Sequence, residues 1–336
     1  MNSVGIDISK GRSTIAVMRP FGEIVISPFE VRHTDSELSE LARRLKSLNG
    51  ETRVVMEATG NYHAPVAKLL HDAGLYVSVV NAKLVHGYGN NDLRRVKTDR
   101  KDAVKLANYG LDRWLTLPRY VPEENTRLLL KNCYRQYRQY SKVQTVLKNN
   151  LISLLDMTFP NANRLFVSPA RADGSEKWVD FVAEFWHCEC VSERSLKSFV
   201  NKYWRWCRKH GYNFSEEKAH AIYDEASGHI GVMPKSETTK LLVEQAVSQL
   251  SATSAALAAL KQEMQSLSSQ LPEYPVVMGM FGVGPILGPQ LIAEIGDVRR
   301  FYSKKALVAY AGIDAPPNDS GDVIGRHKSM SKVGAS

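Results

Sequence analysis

Residues 3–27 read SVGIDISKGRSTIAVMRPFGEIVIS. Three apolar-rich runs, Ser3–Ser9, Arg12–Arg19 and Glu23–Ser27, predict three strands, the last two separated by the Pro20-Phe21-Gly22 turn. Outward from there, Ser36–Leu48 has helical spacing (Leu38, Leu41, Leu45, Leu48), with Thr34 or Asp35 as N-cap. Arg53–Glu57 is an apolar strand ending in an acid, Ala64–Ala73 a helix ended by Gly74, and Leu75–Val80 a β-branched strand. The order β-β-β-α-β-α-β followed by a helix predicts an α/β domain over residues 1–112.

That order matches the RNase H-like fold, but also other α/β folds. The remainder reads as helical. Residues 113–156 form a polar-basic helix, a first coiled-coil arm, with apolar Leu128, Leu129, Val143, Val146, Leu147, Leu151 and Leu154. Residues 157–235 are aromatic-rich and punctuated by Pro160, Pro169 and Pro234, which predicts an inserted helical subdomain whose aromatics form its core. Residues 236–272 form a second arm: Val243, Leu250, Leu257, Met264 and Leu271 recur every seven residues, as do Ala246, Thr253, Leu260 and Leu267. Its partner is the first arm, a second protomer, or both; a simple core helix is the plainer alternative. Residues 273–336 form a small, mostly helical domain opening on Met278-Gly-Met-Phe-Gly-Val-Gly-Pro285, which resembles a helix-hairpin-helix turn.

The chain carries 44 Lys and Arg against 35 Asp and Glu, a net charge of +9. Between Arg94 and Lys148 there are 14 basic and 5 acidic residues, so that stretch holds the whole excess. A concentration of this kind suits a phosphate-backbone track; a solvated helical face is the bland alternative. The candidate contacts are Arg94, Arg95, Lys97, Arg100, Lys101, Arg127, Lys131, Arg135, Arg138, Lys142 and Lys148, with a C-terminal group of Arg326, Lys328 and Lys332. No run approaches 18 consecutive apolar residues, which argues against a membrane span. The first residues carry neither a basic n-region nor an apolar h-region, so no signal peptide is expected. Four cysteines suit a reducing, cytoplasmic setting.

Four acids stand at telling places. Asp7 lies in the first strand and Glu57 ends the fourth, while Asp99 and Asp102, three apart, share one helix face. Carboxylates on neighbouring strand ends and one helix can hold two hard cations through oxygen, the arrangement that clamps a phosphoryl transfer. Each acid alone has a plainer reading: Asp99 and Asp102 as partners of Lys97, Arg100 and Lys101, Asp7 as a loop acid beside a phosphate.

Taken together, Gly5-Ile-Asp7-Ile-Ser-Lys10, Glu57-Ala-Thr-Gly60-Asn-Tyr62, Asp72-Ala-Gly-Leu-Tyr-Val-Ser-Val-Val-Asn81, Lys97-Thr-Asp99-Arg-Lys-Asp102-Ala103, Gly282-Val-Gly-Pro285, Ala309-Tyr-Ala-Gly312, Ser320-Gly321 and Ser329-Met-Ser-Lys332 carry a resemblance over most of the chain. The sequence resembles the DEDD transposases of the insertion sequence 110/1111 family, the group related to the Piv DNA invertase. The resemblance implies a RuvC-like N-terminal domain whose Asp7, Glu57, Asp99 and Asp102 bind Mg²⁺, two ions in all, and a C-terminal transposase domain with Ser320 as nucleophile. It further implies strand exchange in double-stranded donor and target DNA through a covalent phosphoserine, guidance by a structured noncoding RNA (bridge RNA or seekRNA), and a homo-oligomer, dimer or tetramer, whose protomers share each site. Two departures stand out: the loop Asp314-Ala-Pro-Pro-Asn-Asp319 before Ser320, and an end at Ser336 where family members continue through further helices.

Other readings compete. A guide-free DNA invertase of the Piv type would use the same residues. A RuvC-like hydrolytic nuclease would use the same metals with water as attacker. An actin-like kinase and a non-catalytic nucleic-acid scaffold are more distant rivals. Cys188, Cys190, Cys207 and His210 have zinc-like spacing, against the plainer reading of buried helical cysteines. Tyr134, Tyr137 and Tyr140 interleave with Arg135 and Arg138 in a pattern suited to RNA.

Overall fold

The computed structural model describes residues 1–58, 60–88 and 98–314, and its contacts divide the chain into two units, Met1–Glu123 and a second beginning at Glu124.

The first unit is built on a five-stranded sheet of order β3-β2-β1-β4-β5. The strands are β1 (Asn2–Ser9), β2 (Arg12–Arg19), β3 (Glu23–Arg32), β4 (Thr52–Glu57) and β5 (Tyr76–Val80). β1, β2 and β3 form an antiparallel meander, while β4 runs parallel to β1 and β5 parallel to β4. Its helices are α1 (Asp35–Lys46), α2 (His63–Asp72), α3 (Ala82–Gly87) and α4 (Asp99–Asp112). Thr34 caps α1 by accepting from the Glu37 N–H.

β3 runs five residues beyond the expected Ser27, through Pro28. It is an edge strand, where a missing N–H need not break the ladder.

Central β1 is buried on both faces. Its even residues, Val4, Ile6 and Ile8, pack with Val54, Met56 and Val77 against Leu38, Leu41 and Leu45 of α1 and Val66, Ala67 and Leu70 of α2. The other face belongs to α4, whose Leu106 and Tyr109 cluster with Val55, Val80, Val85 and Leu117. This contact depends on small residues. A Cβ on Gly5 would stand 2.0 Å from the Ala103 carbonyl oxygen and 2.4 Å from the Ala107 nitrogen. A Cβ on Gly110 would stand 2.3 Å from Ser3 Oγ and 2.8 Å from Val55 Cγ2. Gly5→Ala therefore forces α4 away from the sheet and is expected to cost about 2–3 kcal/mol, the upper part of the overpacking range. Urea unfolding followed at Trp114, in this unit, checks it; a change under about 0.5 kcal/mol would show that the helix yields freely.

In the second unit, two long helices, α5 (Asn125–Thr158) and α10 (Glu237–Ser269), run antiparallel. Leu130 packs with Met264, Leu267 and Leu271 at one end, Gln144 Nε2 donates to Ser254 Oγ at 2.8 Å midway, and Leu151 and Leu155 meet Val243 and Leu250 at the other. All five residues of the Val243–Leu271 series are buried. On α5, however, Leu128, Leu129, Val143 and Val146 are exposed, because the seam with α10 uses other positions.

Between these helices lie α6 (Lys177–Glu184), α7 (Glu189–Ser192), α8 (Leu196–His210) and α9 (Glu216–Gly228). Phe159, Phe181, Phe185, Phe199, Tyr203 and Trp206 form their buried core. Cys188 and Cys207 lie in that core, and His210 packs against the Trp206 and Tyr212 rings. Past α10 come α11 (Tyr274–Met278), α12 (Leu287–Ile295) and α13 (Lys304–Tyr310). The Gly-rich turn joins α11 to α12, with Gly282 at φ +79°.

Candidate functional site

Register and packing place the four acids. Ile6 pairs with Met56 in the parallel ladder, so Asp7 and Glu57 occupy the next step on adjacent strands. Both stand at carboxyl ends of parallel strands, where open α/β sheets commonly bind their ligands. Side chains alternate along a strand. Asp7 therefore shares a face with Ser3 and Gly5, and Glu57 with Val55, which is the face α4 covers.

The direction of α4 follows from its two small-residue contacts. Ala103 lies over Gly5 and Gly110 over Ser3, so the helix runs back along β1 toward its start. Its first turn, with Asp99 and Asp102, therefore lies toward the strand end that carries Asp7 and Glu57. One turn spans about 5.4 Å. Thr98 caps the helix by accepting from the Lys101 N–H, and carboxylates in a first turn also favour the helix itself. Asp7, Glu57 and Asp102 are half-buried, and Asp99 is exposed.

The backbone thus brings two strand ends and one helix start to a single end and face of the sheet. Among the described residues, no three His, Cys, Asp or Glu side chains converge into a ready metal cluster. The donor chemistry nonetheless fits the ion expected here: four carboxylates offer only hard oxygen ligands, which suit Mg²⁺.

The basic residues divide. Arg100 and Lys101 are exposed on α4; Arg135, Arg138 and Lys142 are exposed on α5, and Lys131 is half-buried. Lys148 is half-buried and paired with Glu176 at 2.6 Å. Arg127 requires correction. It is 4% exposed and holds Glu273 with two hydrogen bonds, Nη1 to Oε1 and Nη2 to Oε2, so its charge faces a carboxylate inside the protein. Tyr134 and Tyr137 likewise pack against the Leu130–Met264 cluster, and the Arg138 guanidinium lies 5.8 Å from the Tyr134 ring centroid. Arg94, Arg95, Lys97, Ser320, Arg326, Lys328 and Lys332 lie outside the described residues.

Sequence reasoning missed what aims the helix. Ala103, Ala107 and Gly110 form a small-residue stripe at i, i+4 and i+7, and this pattern was there to be read.

A family model described as "Transposase", for the DEDD transposases of IS110, matches residues 4–160, and a second, "Transposase IS116/IS110/IS902 family", matches residues 274–336. The chain belongs to the IS110 transposase family. This family consists of DNA-modifying enzymes. Over 326 residues the transposase is 24% identical to the insertion element IS116 protein of Streptomyces clavuligerus, covering 96% of this chain and 78% of that one. It is 27% identical over 134 residues to the pilin gene-inverting protein of Moraxella bovis, covering 40% of this chain and 38% of that one. Among solved structures, Thermus thermophilus RuvC matches with a TM-score of 0.27 at 15% identity, covering 36% of this chain and 100% of RuvC. No helix among the described residues is long and apolar enough to cross a membrane.

Proposed function

We propose that this transposase is an RNA-guided DNA recombinase. It cuts and rejoins strands through a serine–phosphodiester intermediate formed by Ser320, with a RuvC-like acidic centre of Asp7, Glu57, Asp99 and Asp102 as the second set of groups the reaction uses. The observation that carries this reading is the meeting of β1, β4 and the first turn of α4 at one end and face of the sheet.

Bound Mg²⁺ would supply charge neutralisation at the scissile phosphate. The protein's own groups do the rest. Asp7 and Glu57 stand one step past the Ile6–Met56 pair on adjacent parallel strands, so the sheet sets the spacing of their backbones. Asp99 and Asp102 ride on a helix locked to β1 through Gly5. Arg100 and Lys101 are exposed beside these acids and can draw a phosphate backbone toward them. Ser320 Oγ bonds to phosphorus, its proton passes to solvent or a base, and one DNA strand end leaves as a hydroxyl. The ester conserves the bond, so a hydroxyl of another strand can displace the serine and rejoin DNA without ATP.

Base pairing by a guide RNA relieves the protein of reading sequence, which suits a chain whose excess charge serves backbones rather than base edges. The gene-inverting relatives favour a second reading, DNA inversion, which on this reading needs no guide RNA.

The test is a covalent adduct. Protein purified with its RNA and mixed with labelled donor DNA and Mg²⁺ is expected to form a denaturant-resistant DNA–protein band. That band is lost in Ser320→Ala, while DNA binding stays within about threefold, since one hydroxyl contributes little to affinity beside the phosphate contacts. An undiminished band in Ser320→Ala sinks the serine assignment. Activity that survives prior RNase digestion favours guide-free inversion.

A further inference from the structure

Outside the acidic centre, α8 carries a surface of unusual composition. Its fifteen residues include Lys197, Lys202, Arg205, Arg208 and Lys209 and no acid. The opposite face, Phe199, Tyr203, Trp206 and Cys207, is buried in the aromatic core, so the cations are held on one side of a rigid helix. Arg194, just before the helix, joins Lys202, Arg205 and Lys209 in lining a cavity of about 510 Å³, with Glu184 at its edge 3.3 Å from Lys202. Among the described residues no carboxylate lies within ion-pair distance of Arg205, Arg208 or Lys209. Lys202, Arg205 and Lys209 recur about once per turn, roughly every 5.4 Å along the axis.

On the same helix, one residue before Arg205 and outside the cavity lining, stands Trp204, 40% exposed although the helix buries its other large aromatics. The Arg208 guanidinium lies 5.0 Å from its ring centroid, holding the indole in place. The Trp206 indole N–H, from a side chain that lines the same cavity, has no hydrogen-bond partner among the described residues.

We infer that this face of α8 is a binding site for single-stranded nucleic acid, its phosphates along Lys202, Arg205 and Lys209 and an unpaired base stacked on Trp204. The combination decides the ligand class. A cation row alone suits any polyanion, and an exposed indole alone suits any apolar partner. A regular row and a braced indole exposed on one helix, with Arg205 and Arg208 flanking the indole in sequence, suit an unpaired strand, because it offers phosphates and open π-faces together. Summed charge hid the site. The neighbouring α9 carries Glu216, Glu217, Asp224 and Glu225, so the segment averages out although its helices segregate the signs.

The site deepens the nucleic-acid reading above and rests on it, but it is tested separately. Full-length protein stripped of nucleic acid is titrated against labelled oligouridine RNA by fluorescence anisotropy over a salt series. Arg205→Glu/Lys209→Glu is expected to flatten the slope of log K against log salt by about 1.4, for two phosphates at roughly 0.7 each. Trp204→Ala is expected to weaken binding about tenfold and Trp204→Phe to restore most of it. All these positions are exposed, and thermal melts confirm that the variants fold. Arg135→Glu/Arg138→Glu on α5 serves as comparison. The site is overturned if the α8 variants bind with wild-type affinity and slope, if Trp204→Ala and Trp204→Phe are alike, or if the wild type ignores oligouridine. Loss of RNA binding in the α8 variants with no adduct at Ser320 upholds this site and sinks the recombinase reading; the opposite pattern does the reverse.

Discussion

An Asp7→Asn variant is expected to lose strand cleavage by roughly 10³-fold. The figure follows from what a metal ligand supports, several kcal/mol of transition-state stabilisation at 1.36 kcal/mol per decade. The substitution keeps the size of the side chain and leaves the backbone ladder to Thr14 and Met56's neighbouring step intact, so the fold is preserved. Glu57→Gln and Asp102→Asn are expected to behave alike, since both groups are half-buried on the face that Asp7 shares. Asp99 and Asp102 also stabilise the start of α4, but that effect is about 0.3–1 kcal/mol and acts on the helix. It cannot produce a thousandfold loss in a protein that still melts like the wild type. Single-turnover cleavage of labelled DNA, read beside a thermal melt, separates the two effects. Cleavage within about tenfold of wild type in all three variants removes the acids from the chemistry.

The pieces legible in advance were those with a period. Alternation marked the strands, and the seven-residue recurrence from Val243 to Leu271 marked five residues, four on α10 and one just past it, that are all buried. What escaped was set by partners distant in the chain. Pro28 looked like the end of a strand and is not, because only an edge position decides whether its missing N–H matters. Leu128, Leu129, Val143 and Val146 looked like core and are exposed, because α10 packs on Leu130, Gln144, Leu151 and Leu155 instead. Arg127 counted toward a basic track, yet its partner stands 146 residues away. The acids themselves were legible as candidates, but their common face rests on Gly5 and Gly110, two residues with no side chain to announce it.

That Arg127–Glu273 pair supports the second large effect: Glu273→Ala is expected to destabilise the second unit by about 3 kcal/mol, the low end of the range for breaking a buried pair. Arg127, in the first turn of α5, is 4% exposed, and Glu273, between α10 and α11, is 17% exposed. Removing the carboxylate leaves a largely buried guanidinium without its two hydrogen-bond acceptors. Partial compensation keeps the cost at the low end, because Glu124 remains 3.3 Å from Arg127 Nε, although without hydrogen-bond geometry. For a unit of this size the loss corresponds to a fall in Tm of roughly 6–12 °C. Four of the five tryptophans lie in the second unit, so intrinsic fluorescence reports its melting. The pH dependence carries a definite sign. Hydrogen bonding to Arg127 holds the Glu273 carboxyl below its ordinary range. Its contribution is therefore present above the unfolded value of about 4.3 and fades as pH falls through the lower folded value. The gap between wild type and Glu273→Gln should accordingly be wide at neutral pH and close in acid. Arg127→Met/Glu273→Leu removes both charges and is expected to recover most of the lost stability, since two apolar side chains leave no buried charge behind. If the double variant is as unstable as Glu273→Ala, packing rather than charge accounts for the loss; if Glu273→Ala melts with the wild type, the pair holds nothing together.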